Sequence, residues 1–132
     1  MATRRGRPVP SESLGILLIS GGHERAHYAF LMAAGAAALG RLVVVFATNE
    51  GCRALMPGTL AGDSREALAR ARGVAGLGEL AEAAGELGVR CIACEAGLRM
   101  IGAEAAALAP GVEVAGIATF LEAVGAGQIV TL

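Results

Sequence analysis

The sequence predicts an α/β fold: a single compact, Rossmann-like three-layer sandwich with a mainly parallel five-stranded sheet. Three observations carry that expectation. Apolar runs of strand length recur at Leu14 to Ser20, Arg41 to Ala47, Val89 to Ala93, Val112 to Ile117 and Gln128 to Leu132. Helix-like segments separate them, and strands that alternate with helices are joined by crossovers, which make neighbouring strands parallel. With 132 residues the chain is long enough for one domain with its own core and too short for two ordinary ones.

The elements follow in order. Residues 1 to 12 carry Arg4, Arg5, Arg7, Pro8 and Pro10 and nothing to bury, so a flexible tail is expected, with the α/β domain over 13 to 132. Leu-Gly-Ile-Leu-Leu-Ile-Ser at 14 to 20 reads as a buried strand, and Gly21-Gly22 turns it into a helix over Glu24 to Leu39. Arg41 to Ala47 is the second strand, and Thr48-Asn49-Glu50-Gly51 reads as loop. Cys52 to Met56 is short enough for one helical turn before Pro57-Gly58, and Ser64 onward starts a helix capped by Asp63 or Ser64. Leu77, Leu80, Ala81, Ala84 and Leu87 share one helical face opposite Glu79, Glu82 and Glu86, which predicts an amphipathic helix on the sheet. Val89 to Ala93 is the third strand, with Cys94 at its end and Glu95 to Ile101 as the next helix. Helix continues or restarts over Glu104 to Leu108. Val112 to Ile117 is the fourth strand, Thr119 caps a helix to Ala123 or Val124, and Gln128 to Leu132 is the last strand.

Composition excludes several function classes. The chain is 55% hydrophobic but only 3% aromatic, with 20 glycines, so the core is built from Ala, Leu, Val and Ile and helices pack closely on the sheet. Net charge is -1, and without the three arginines and one glutamate of the tail the body has 8 basic and 11 acidic residues, which disfavours a nucleic-acid surface. Every basic residue is arginine, so a Schiff-base or P-loop lysine is ruled out. Three cysteines, at 52, 91 and 94, do not make a disulfide framework and fit a reducing, cytoplasmic setting. The apolar stretch from Ala29 to Gly40 is too short to span a bilayer, and the run after Arg4-Arg5 lacks a small-x-small cleavage pattern, so neither membrane association nor a signal peptide is expected.

The chemistry is expected between Gly88 and Gly102. Cys94 falls at the carboxyl edge of a parallel strand and the amino end of a helix, where open α/β sheets bind ligands and the helix dipole favours a thiolate. It is the nucleophile candidate, with an inert buried thiol as the alternative and the neighbouring Glu95 opposing ionisation. Cys91 and Cys94 form a Cys-x-x-Cys, yet Cys91 lies inside the predicted strand, which argues against a redox dithiol, and no second pair completes a zinc site. His23-Glu24-Arg25-Ala26-His27 matches His-Glu-x-x-His, but it opens a helix directly after a glycine turn and no third ligand follows, so no metal is expected. His23 could instead stabilise a thiolate or anion at the sheet edge. Gly21-Gly22 lacks the dinucleotide fingerprint; it could offer backbone N–H groups to a small anion, or serve only as a turn that needs glycine dihedrals. Cys52 could face the same crevice as a resolving thiol or be a small buried hydrophobe.

Gly-Val, an apolar strand, Cys94 and a helix closing near Gly102 together resemble the DsrE/DsrF-like (DsrE/TusD) sulfur-relay family. Leu14 to Gly22, Ala36 to Gly40 with Val43 to Phe46, and Val112 to Leu132 are similar to that family's first strand and turn, first helix end and second strand, and closing strand, helix and strand. The resemblance spans roughly residues 14 to 56 and 76 to 132; residues 57 to 75 depart from it, and their role is left open. It implies a persulfide on Cys94, taken from a sulfur donor protein and passed to an acceptor protein; on the residues themselves, the helix dipole and Asn49 or His23 are expected to stabilise charge there, and no metal or organic cofactor is needed. It also implies a homo-oligomer, a trimer or hexamer. Two alternatives stand beside this: a non-catalytic oligomeric binding or structural module of the same fold, and a small-anion or nucleotide-binding protein that uses Gly21, Gly22.

Overall fold

The computed structural model describes residues 12–132; except for Glu12, the expected tail lies outside the described residues. Five strands, β1 (Leu14–Leu18), β2 (Val43–Ala47), β3 (Arg90–Cys94), β4 (Glu113–Ala115) and β5 (Gln128–Thr131), form one sheet in the order β4-β3-β2-β1-β5, and every pairing is parallel. The helices are α1 (His23–Ala38), α2 (Ser64–Ala71), α3 (Leu77–Glu86), α4 (Glu95–Met100) and α5 (Ile117–Val124). The expected α/β sandwich with a five-stranded sheet is what the chain forms.

The strand order explains the layers. From β1 to β4 the chain steps one way across the sheet, and β5 then returns to the far edge beside β1. Because crossovers keep one hand, the helix that makes the return must lie on the opposite face. So α1 and α3 cover one face, over Leu14, Ile16, Leu18, Val43, Val45 and Ala93, while α5 covers the other, over Val44, Phe46, Ile92 and Cys94. Ala26, Ala29, Ala33 and Ala36 form the buried stripe of α1, and side chains that small bring its backbone close to the sheet. Phe120 of α5 stacks on Phe46 at 5.0 Å, and both rings are fully buried. Few aromatic residues are present, and these two anchor the second layer.

Several boundaries differ from the sequence reading, each for a local reason. The short helical turn expected from Cys52 forms as a 3₁₀ turn but begins earlier, over Asn49–Leu55, and takes in part of the expected loop; it is entered through Asn49 at φ 51°, the only non-glycine residue with positive φ among the described residues. Residues 105–107 form one 3₁₀ turn, not a continued helix. β4 is three residues long because Gly116 already serves as the N-cap of α5. Thr119 is therefore inside the first turn, its N–H bonded to Gly116 O at 3.1 Å, and is not the cap. The helix from Ser64 forms as expected, with the Asp63 side chain accepting Arg65 N–H at 2.8 Å. Among the described residues no helix is long and apolar enough to cross a membrane.

Candidate functional site

Cys94 ends β3 and is the N-cap of α4, so one residue belongs to both elements. Its Sγ accepts the Gly97 N–H at 3.4 Å, where a serine or aspartate oxygen would ordinarily cap the helix. The sulfur lies on the α5 face, with Ile92, Phe46 and Phe120, and the residue is 8% exposed. Its surroundings toward the β4 edge are small: Ala115 stands opposite Cys94 in the ladder, and the exposed Gly116 follows it. On the helix side Glu95 and Ala96 are exposed. The thiol is thus buried, with the exposed Glu95, Ala96 and Gly116 close to it in the chain and the sheet.

The seat of α4 is set by Gly97. A Cβ at this position would run into Asn49 N and Thr48 Oγ1, so the helix start lies directly on the backbone that leaves β2. That contact is why Asn49, a candidate on sequence grounds, borders the site: its backbone lies beneath the turn that holds the Cys94 sulfur. Cys52, in the 3₁₀ turn that Asn49 begins, is fully buried and donates its S–H to Ala47 O at 3.4 Å. Burial pushes the Cys52 thiol above its ordinary range, and the neighbouring Cys94 raises it further against the backbone N–H of Cys94, which faces the Cys52 sulfur and acts the other way. The Cys52 side chain packs in the core on the α1 and α3 face, whereas Cys94 packs in the core on the α5 face. Cys91 points to the α1 and α3 face, and burial, aided by Glu113, pushes its thiol up to about 11. All three cysteines are free.

His23 is engaged elsewhere. It is 3% exposed, and its Nε2 stands 2.7 Å from Glu66 Oε1, which also accepts Leu77 N–H at 2.7 Å. A carboxylate acceptor requires the proton on Nε2. Burial alone would raise the Glu66 carboxyl, but hydrogen bonds from His23, Leu77 and Gly78 outweigh it and hold the group below its ordinary value. Glu66 thus ties the start of α1 to the open end of α3. His27 stacks on His23 at 5.6 Å and reaches Ala75 O at 2.8 Å through its own Nε2. The His-Glu-x-x-His letters therefore serve helix packing, and among the described residues no group of three or more His, Cys, Asp or Glu is placed to hold a metal ion. Glu66 was not singled out in the sequence. An acidic residue within Ser-Arg-Glu-Ala reads as a solvated charge, and only its partner 43 positions away reveals its burial.

The glycine turn also has a packing role. Neither Gly21 nor Gly22 has positive φ, so the expected need for glycine dihedrals is not the reason for the pair. A Cβ on Gly21 would come 2.7 Å from Glu50 Cβ, whereas Gly22, the N-cap of α1, faces open space. Between β1 and β5, where the strand order reverses and such folds bind ligands, Leu132 O takes the N–H groups of Ile19 and Ser20 at 2.9 and 3.4 Å. A cleft of about 550 Å³ opens instead on the α2 and α3 side, lined by Arg53, Leu55, Met56, Glu66, Leu77 and Pro110.

With this geometry in view, the model of the DsrE/DsrF/DrsH-like family matches residues 53–132, including the segment 57 to 75 that the sequence resemblance left aside. Among solved structures, the ychN protein from E. coli is similar with a TM-score of 0.71 and 13% identity, covering 92% of this chain and 99% of its own. A protein of unknown function from Methanobacterium thermoautotrophicum, MTH1491, is similar with a TM-score of 0.63 and 18% identity, covering 92% of this chain and 100% of its own. At such identities the likeness is one of fold. No curated protein matches the sequence significantly.

Proposed function

The chain belongs to the DsrE/DsrF/DrsH-like family, and from that premise we propose that it is a sulfur carrier that holds sulfane sulfur as a persulfide on Cys94. The observation that carries this reading is the placement of Cys94, a thiol at the carboxyl edge of a parallel sheet whose sulfur accepts the Gly97 N–H. The Cys94 thiolate attacks the outer sulfur of a donor persulfide, a new S–S bond forms, and the donor leaves as a thiolate. The Gly97 N–H supports negative charge on the Cys94 sulfur before attack and again when an acceptor thiolate takes the outer sulfur away. No metal or organic cofactor enters either step. The partners are a sulfur donor protein and an acceptor protein, and the setting is the reducing cytoplasm.

A second observation supports assembly. Ile117 and Leu121, one turn apart on the outer face of α5, are each 49% exposed, and Ile129 on β5 is 44% exposed. Burying such a patch favours a homo-oligomer, a trimer or hexamer, and a module without sulfur chemistry would show the same patch. Site mapping separates the two readings. After exposure to glutathione persulfide, fragment-ion sequencing of the tryptic peptides is expected to place the added sulfur on Cys94 within the peptide 91–99, which also holds Cys91. Sulfur spread equally over Cys52, Cys91 and Cys94, or found on none, leaves the assembly module as the function. Sedimentation as a monomer at micromolar concentration would remove the oligomer from the account.

A further inference from the structure

The cleft on the α2 and α3 side, about 550 Å³, has the size of a small-molecule site and lies on the α1 and α3 face of the sheet, away from the layer that holds Cys94. One of its walls is α3. The other is the chain from Arg53 to Ala61 with Ala109 and Pro110, tied together where Ala109 N–H donates to Leu55 O at 2.8 Å. A second hollow of about 330 Å³ shares Ala54, Leu55 and Ala81 with the first and runs on along α3 to Gly85. Gly78 and Gly85 leave this side of the helix bare, since a Cβ at either would meet nothing within 4 Å. At about 1.5 Å of rise per residue the open strip between them is about 10 Å long.

Two carboxylates and one arginine line the cleft, and the arginine is already engaged: Arg53 is held by Glu50 at 2.6 Å. Glu82, exposed on the rim, has no ion-pair partner among the described residues and stands one helical turn beyond Gly78. Glu66 meets the same turn from below, because it accepts Leu77 N–H at 2.7 Å and Gly78 N–H as well. The bare Gly78 therefore lies between two acids. The backbone donors that an anion would use at the start of α3 are taken, Gly76 N–H by Glu79 and those of Leu77 and Gly78 by Glu66. An ionised carboxylate offers about four acceptor positions, and His23, Leu77 and Gly78 leave one on Glu66 unused. We propose that the cleft binds a small molecule with an apolar body and one primary ammonium group, the ammonium seated over Gly78 between the Glu66 and Glu82 carboxylates and the body lying along α3 toward Gly85. Leu55, Met56, Leu77 and Pro110 supply the apolar contacts. This site is separate from the sulfur chemistry and does not rest on it.

The test titrates the full chain by calorimetry at neutral pH with compounds that share one body and differ only in the head group: phenylbutylamine, phenylbutanol and phenylbutanoate, each with its phenyl ring at the chain end. The amine is expected to bind at least about tenfold more tightly than the alcohol, through charge-assisted hydrogen bonds, and the carboxylate more weakly than either. Glu82→Gln, on the exposed rim, is expected to remove most of the preference for amine over alcohol while alcohol binding stays within about twofold. Gly78→Leu fills the bare wall, keeps the backbone N–H that bonds Glu66 and adds helix propensity; it is expected to keep the parent's melting temperature or exceed it, and to weaken the amine and the alcohol at least about tenfold. Equal binding of amine and carboxylate, amine binding unchanged in either variant, or no binding of the amine up to millimolar concentration would overturn the ammonium site. None of these results touches the carrier reading, which is read from sulfur on Cys94.

Discussion

Replacing Glu66 with alanine removes one carboxylate that three groups depend on. His23 Nε2 and Leu77 N each stand 2.7 Å from Oε1, and Gly78 N–H also bonds the carboxylate. Losing the cap on α3 costs about 1 kcal/mol. Leaving the buried His23 N–H without an acceptor costs about 1–3 kcal/mol more. With side chains only 3% and 8% exposed, water does not replace the lost oxygen unless the helices separate. The expected loss is about 2–4 kcal/mol, a large part of the ~5–15 kcal/mol that stabilises an ordinary domain. Glu66→Gln keeps one acceptor oxygen and is expected to lose about half as much. The pH dependence has a definite sign. The carboxyl is held below its ordinary 4.5, so its contribution is complete above that pH and is lost as pH falls through the lower folded value. Urea unfolding at neutral pH gives the full gap between parent and Glu66→Gln, and the gap narrows in acid. A Glu66→Ala loss under about 0.5 kcal/mol, or a gap that widens in acid, would refute this account of the pair. Because His23 and Glu66 are engaged with each other, alkylation of Cys94 is expected to stay within about twofold in Glu66→Gln.

Three further outcomes follow from the site. Gly97→Ala pushes a methyl group into Thr48 and Asn49, where the obstruction is partly backbone, and is expected to cost about 1–3 kcal/mol; an unchanged melting temperature would mean that α4 is not seated on this turn. Cys91, with its thiol pushed up to about 11, is expected to resist iodoacetamide at pH 8, with its labelling rate rising about tenfold per pH unit above that; labelling at the rate of a free cysteine would contradict its burial. The Arg90 guanidinium holds Glu113 through two hydrogen bonds of 2.6 and 2.8 Å, but both side chains are more than two-fifths exposed. Glu113→Gln is therefore expected to cost no more than about 1 kcal/mol, less in high salt, and a larger loss in chemical denaturation would contradict the surface character of the pair.

The sheet was legible because its strands are β-branched runs. Val43 to Phe46 and Val89 to Ile92 can hardly be read otherwise, and Cys94 at the junction of strand and helix followed from where the run stops. What escaped was decided by groups far apart in sequence. Asn49 in a left-handed conformation turns an apparent loop into a 3₁₀ turn, and its neighbour across the site, Gly97, is 48 residues on. His23 opens a helix, and the sequence leaves it free to stabilise an anion or thiolate at the sheet edge; in the fold a buried carboxylate on α2 accepts its N–H, and nothing local to Ser64-Arg65-Glu66 signals that burial. Thr119 differs from the expected cap for another reason: hydroxyl residues are good caps in general, while here the chain leaves β4 at Gly116 and the helix has already begun. Gly21-Gly22 reads from sequence as an anion cradle or as a plain turn, and the close approach of Glu50 to its first glycine is a third reason that only the fold shows.

The central claim is that one sulfur atom at the end of β3 accepts and releases another. Intact mass of the parent and Cys94→Ser after exposure to a persulfide donor tests it most directly. The account expects the parent to gain one sulfur, to lose it again to an added acceptor thiol, and Cys94→Ser to gain none; equal uptake by Cys94→Ser would contradict it.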